Sequence, residues 1–160
     1  MFIYSVRAST VKFFAFVLVA VVMVIGVVGF GSGASVSASA SGEVDFTGIK
    51  TKEDRIAFME RLGIKVDDEE QSQSFVIPKN FDRVILGYNE IQKKQGLDVS
   101  KYTRKKITRY TYEVKNFDSD GKVYANLFVY RNRIIACDVS SVDGDGFVYP
   151  MTMIPDGALK

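Results

Sequence analysis

ITRYTYEVKNFDSDGKVYANLFVYRNRIIACDV, residues 107–139, is the stretch whose reading decides the fold. Ile107 to Phe117 is dense in Tyr, Thr and Val, residues that suit a pleated, half-buried surface. Asp118-Ser-Asp-Gly121 carries hairpin-turn chemistry. Val123 to Tyr130 resumes the β pattern, Arg131-Asn132 supplies a two-residue turn, and Arg133 to Val139 completes a third strand. If Phe117 opposes Lys122, then Tyr112 opposes Leu127 and Tyr110 opposes Val129. If Tyr130 opposes Arg133, then Val129 opposes Ile134 and Leu127 opposes Ala136. One face then carries Tyr110, Tyr112, Val114, Ala125, Leu127, Val129, Ile134 and Ala136. The other carries Glu113, Lys115, Tyr124, Asn126, Phe128, Tyr130, Arg133 and Ile135.

The continuous apolar face needs a cover. Upstream, Lys52 to Leu62 reads as a helix with Thr51 as N-cap, Glu53 and Asp54 in the first turn, and Gly63 as the stop. Ile64 to Val66 and Ser74 to Ile77 read as short extended pieces around a polar loop, Asp67 to Gln73. Asn80 to Gln95 reads as a second helix, with Phe81, Val84, Ile85, Tyr88, Ile91 and Gln92 at three- and four-residue spacing. Gly96 ends it, and Leu97 to Tyr102 is a connecting loop. The expected class is α+β: an antiparallel sheet of three to five strands with two helices packed on one face.

Further outward, residues 13–30 form an uninterrupted apolar run, FFAFVLVAVVMVIGVVGF. As a helix it spans roughly 27 Å, close to a bilayer's hydrocarbon thickness. Arg7 and Lys12 precede it, and no acid appears until Glu43. This asymmetry orients residues 1–12 toward the cytoplasm and the remainder outward. Residues 31–50, rich in Gly, Ser and Ala, read as a tether, leaving 51–160 as one extracytoplasmic domain. Two fates are open for the run: a retained single-pass anchor in the lipid bilayer, or a signal cleaved near Ala38 or Ala40. Either leaves the domain outside the cytoplasm.

Composition narrows function by exclusion. Setting aside Arg7 and Lys12, 19 basic residues of the 21 face 19 acidic ones, so the exported part is formally neutral and nucleic acid is not an expected partner. No histidine is present, which removes Ser-His-Asp triads, Cys-His dyads and His-based zinc sites. Ser9-Thr-Val-Lys12 matches a Ser-x-x-Lys spacing only on the cytoplasmic flank. The single cysteine, Cys137, cannot form an intramolecular disulfide and reads as a buried strand residue. Asp118/Asp120 and Asp143/Asp145 read as turn aspartates, since neither pair offers the six to eight oxygens calcium takes. No cofactor motif is present, and no metal is expected.

Two constellations remain. Tyr124, Phe128 and Tyr130 with Arg133 on the second sheet face would suit a peptide, a glycan or another exported protein. The competing expectation is that Phe147 to Ile154 folds back over that face. The stretch Lys93 to Arg109 holds seven cations against one acid, Asp98. Its Lys101, Arg104, Lys105 and Lys106 would suit anionic lipid or an anionic wall polymer. The competing reading is a solvated helix end and loop.

Several phrases resemble a known family: Glu53-Asp-Arg-Ile-Ala-Phe-Met-Glu-Arg-Leu-Gly63, Val76-Ile-Pro-Lys-Asn-Phe81, Tyr88-Asn-Glu-Ile-Gln-Lys-Lys-Gln-Gly-Leu-Asp98, Arg109-Tyr-Thr-Tyr-Glu-Val114 and Ala125-Asn-Leu-Phe-Val-Tyr130. Over roughly residues 50–145 the chain is similar to the domain of unknown function 4830 family of Gram-positive, largely clostridial bacteria. It departs at Thr103-Arg104-Lys105, where a Gly-Lys pair is usual, and at Ile64, where an aromatic is common. The resemblance implies a membrane-anchored or exported domain and carries no catalytic residue. The leading expectation is therefore a non-enzymatic binding or interaction module. The alternatives are a wall-associated hydrolase or transferase working through carboxylates, and a docking domain that offers an uncovered sheet edge.

Overall fold

A computed structural model describes residues 44–141 and 146–160. The apolar run 13–30, most of the tether and the Asp143/Asp145 pair lie outside these residues. Among the described residues no helix is long and apolar enough to cross a membrane.

The chain folds as helix α1 (Lys52–Arg61), strand β1 (Val66–Val76), helix α2 (Arg83–Lys94), a 3-10 turn (Val99–Tyr102), and strands β2 (Lys106–Val114), β3 (Val123–Tyr130), β4 (Arg133–Ser141) and β5 (Val148–Pro150). The strands form one sheet in the order β1-β2-β3-β4-β5, every neighbouring pair antiparallel. The expected α+β class, antiparallel sheet and two helices are all present.

Local chemistry explains the boundaries. Thr51 caps α1 in a capping box: its side chain accepts from the Asp54 N–H, and the Asp54 carboxylate accepts from the Thr51 N–H at 2.8 Å. Asp82 caps α2 by accepting from the Ile85 N–H, so the helix begins three residues later than its apolar spacing suggested. Gly63 and Gly96, both with φ near +80°, take the left-handed conformation that ends each helix. Arg131 and Asn132, at φ 47° and 63°, form the two-residue turn between β3 and β4.

The register differs from expectation in two places. Tyr112 opposes Ala125 and Tyr110 opposes Leu127, a slip of two residues that leaves each side chain on its expected face. The cause is the connection after β2. Instead of closing a tight hairpin, Phe117 bridges to Leu159, and the Asp118 N–H donates to the Ala158 carbonyl. Between β3 and β4, Val129 opposes Ile134 as expected, but a bulge follows and Leu127 opposes Cys137 rather than Ala136. Beyond the bulge the alternation inverts. Cys137 and Val139 join Leu127 in one core cluster, while Ile135 and Ala136 join Phe128 in the other.

The expected polar loop 67–73 is part of β1, an eleven-residue strand that also takes in Val66 from the first expected piece and Ser74 to Val76 from the second. Asp, Glu and Ser are poor strand formers in isolation, but an edge strand with one neighbour keeps half its side chains in water. β2 templates it, and Ser74 and Thr108 hydroxyls meet at 2.9 Å across the pair.

The two helices divide between the sheet's faces rather than sharing one. Phe58 and Met59 of α1, with Ile64, pack on Tyr112, Ala125 and Leu127. Phe81 and Tyr88, around the start of α2, pack on Phe128, Ile135 and Ala136. The physical reason is that the second face, with Ile77, Ile107, Phe128 and Ile135, is too apolar to face water. Burial of Phe58 and Met59 stabilises the fold by roughly 2–3 kcal/mol each. Residues 44–50, placed in the tether on composition, are part of the domain. The Ile134 N–H donates to the Phe46 carbonyl at 2.8 Å, the Ile49 N–H to the Asn132 carbonyl at 2.9 Å, and Ile49 is buried.

Candidate functional site

One end of the sheet collects the cations that the sequence singled out. The chain leaves β1 at Val76, which opposes Lys106 at the start of β2. Two further backbone bonds extend the ladder: Ile77 N–H to the Lys105 carbonyl at 3.0 Å, and Arg104 N–H to the Ile77 carbonyl at 2.8 Å. Arg104 takes a left-handed φ of 63°, turning the chain from the 3-10 turn into β2. Lys101, Arg104, Lys105 and Lys106 are all exposed. Continuing the β2–β3 register from the Thr108–Val129 pair sets Lys106 beside Arg131. Arg131 was not singled out in the sequence, although its place in a two-residue turn was a usable signal. Among the described residues, none of these five cations makes an ion pair with a carboxylate.

The opposite end is different. There Lys115 pairs with Asp67 at 2.7 Å and Glu113 at 3.1 Å, Lys122 with Glu113 at 2.9 Å, and Lys160 with Asp118 at 2.6 Å. Lysines are thus compensated locally at one end, while among the described residues the five cations at the other have no ion pair, so a formally neutral domain presents a positive pole.

The aromatic constellation is split up. Phe128 is 8% exposed, with Tyr88 of α2 5.7 Å away and Phe75 6.2 Å away, centroid to centroid. Tyr130 is half-buried against Tyr102 of the 3-10 turn, at 5.7 Å, and borders the basic end. Tyr124 lies toward the other end of β3, opposite Glu113 and Ser140. The cover over this face comes from α2 and the 3-10 turn. The C-terminal segment goes elsewhere: β5 pairs with β4, Met151 is buried in the larger cluster, and Phe147 stacks on Phe117 at 5.1 Å. Arg133 is exposed and lines an open groove of about 550 Å³ with Asp45, Phe46, Gln95 and Thr152.

Beneath α2 lies a buried polar network. Asp138, 4% exposed, accepts from the Tyr88 hydroxyl at 2.7 Å and from the Asn126 amide at 2.9 Å. Burial pushes the Asp138 carboxyl above its ordinary value, against the lowering effect of those donors and of the Arg109 charge. Burial also raises Cys137 well above the thiol range, so it stays a thiol at neutral pH. Covered on every side, this network joins elements rather than meeting a substrate. Asp118 is exposed in its turn, and no group of three or more metal-ligating side chains gathers among the described residues.

An antiparallel five-stranded meander with a helix against each face defines an α+β domain. The family model described as "Domain of unknown function (DUF4830)" matches residues 58–139, half of the chain. The protein belongs to that family. No curated protein and no solved structure matches the chain.

Proposed function

We propose that this chain is an exported, non-enzymatic binding module, held at the outer surface of a membrane or released after processing. Its basic end takes a polymer or surface rich in phosphate. The observation that carries the reading is the segregation of charge among the described residues: five exposed cations without an ion pair at one end, and lysines tied to acids at the other. Exposed cations on loops bind phosphate-bearing surfaces with about 1 kcal/mol each, and tethering raises the local concentration of such a surface. Tyr130 and Tyr102 at the border of this end add flat apolar contact.

A phosphate-rich wall polymer and an anionic lipid headgroup share this chemistry, and one experiment separates them. The full chain in detergent micelles is offered soluble polyphosphate; in nanodiscs it is offered anionic lipid in place of zwitterionic lipid. Retention of polyphosphate, lost on Arg104→Gln with Lys105→Gln and Lys106→Gln, supports a polymer ligand. Protection of the basic end from trypsin only in anionic nanodiscs supports a lipid surface. Neither effect in the parent protein contradicts the reading.

A further inference from the structure

We propose that two copies of this chain pair edge to edge through β1, antiparallel about Gln73, to make one continuous ten-stranded sheet. The inference is independent of the basic-end reading and rests on the shape and charge of a single strand.

β1 has β2 on one side, and among the described residues no strand lies on its other side. The irregularity between Val66 and Glu70 confines the regular ladder to Glu70–Val76. Those seven residues span about 24 Å, the length of an ordinary sheet strand. Natural edges of this length are usually blocked by proline, inward charge or a covering loop. Here the regular part begins at Glu70, whose carboxylate is occupied by Arg55, and continues as Gln71-Ser-Gln-Ser74, with no free charge and no proline.

Charge selects the arrangement. The acids Asp67, Asp68 and Glu69 precede the regular segment, and Lys79 follows it, exposed. Parallel pairing would stack acid on acid. Antiparallel pairing about Gln73 sets Ser72 against Ser74 and Glu70 against Val76. Beyond the regular ladder, the exposed acids Asp68 and Glu69 of each copy lie toward the exposed Lys79 of the other, while Asp67 stays with Lys115 of its own chain at 2.7 Å. Both ends of the shared ladder then carry opposite charges. Val76, 56% exposed in the single chain, gains the aliphatic stem of Glu70 from the second copy as cover. Pairing about Gln71 would instead oppose the irregular half of each strand to the regular half, and it loses these contacts.

Disulfide trapping reads this geometry directly. In the full chain in detergent, Gln73→Cys places two thiols across the two-fold axis, while the native Cys137 is buried and silent. Mild copper–phenanthroline oxidation is expected to yield a covalent dimer, and Lys94→Cys, exposed on α2, is expected to give little. Lys79→Glu should cut the trapped fraction several-fold, and adding Asp68→Lys should restore it. Equal trapping at both cysteine sites overturns the proposal, as does trapping indifferent to the charge exchange. Sedimentation of the parent protein provides the arm that needs no variant: a monomer at every concentration also overturns it.

Discussion

Arg55 shows how one side chain ties three elements together. Projecting from α1, it is 6% exposed, and it donates to Glu70 of β1 from Nε at 2.9 Å and Nη2 at 2.7 Å, and from Nε to the Tyr112 hydroxyl of β2 at 3.0 Å. Its guanidinium lies 3.7 Å from the Tyr110 ring centre, and the Tyr112 hydroxyl also donates to Glu70. Removing Arg55 leaves a half-buried carboxylate with one donor. Arg55→Ala is therefore expected to lower unfolding stability by about 3 kcal/mol in urea titration, and Arg55→Lys to recover only part of it, because a point charge cannot bridge both partners. Asp138 works in the opposite sense. Its folded carboxyl titrates above its unfolded value, so the native state binds the extra proton and stability from this group falls as pH rises from about 4 through the raised value. Asp138→Asn removes that dependence: the melting temperature of the variant relative to the parent should move in the variant's favour as pH climbs from about 4 to 7. Phe128 corrects a residue-scale expectation. Its position on the second face was legible from alternation and its burial was one of the two expectations, but its cover was not legible, because Tyr88 and Phe75, rather than the C-terminal segment, lie over it and belong to elements distant in sequence. Phe128→Ala is expected to cost about 3–5 kcal/mol of stability, so loss of ligand in that variant would report unfolding rather than recognition.

Among the elements, α2 and the β4 edge show what periodicity leaves out. Where β5 stops short, Gln92 accepts from the Cys137 N–H at 2.9 Å and Gln95 donates to the Cys137 carbonyl at 2.7 Å, so two helix side chains stand in for a missing strand residue. A glutamine at a helical apolar position looks like a defect in the pattern; its purpose appears only once β4 is beside it. Gln92→Leu should leave that N–H unsatisfied and cost about 1–3 kcal/mol, with faster amide exchange at Cys137 as its signature. The two helices, the Thr51 cap, the stops at Gly63 and Gly96, and the three central strands were legible because each is specified by its own residues; the Asp82 cap was not read. β1 was not, since its polar run becomes a strand only by pairing with β2. The two-residue slip escaped for a related reason. Turn chemistry sets register only while the turn is tight, and the C-terminal residues that hold Phe117 and Asp118 lie some forty positions away.

At the scale of the whole molecule, the meander separates two kinds of surface. Its core is enclosed on both faces, and its charges sort toward the two ends, compensated at one and unpaired at the other. The positive stretch Lys101 to Lys106 was legible as a run of residues; that it forms no ion pair among the described residues, and the addition of Arg131, came only with the strand order. The central proposal is that this pole is what the domain offers to its surroundings. The direct measurement is the affinity of the full chain for polyphosphate across a salt series, for the parent and for the variant combining Arg104→Gln, Lys105→Gln and Lys106→Gln. The account predicts binding in the parent that weakens steeply with added salt and is reduced about a hundredfold in the variant, with an unchanged melting temperature. Affinity that is the same in both proteins, or insensitive to salt, would contradict it.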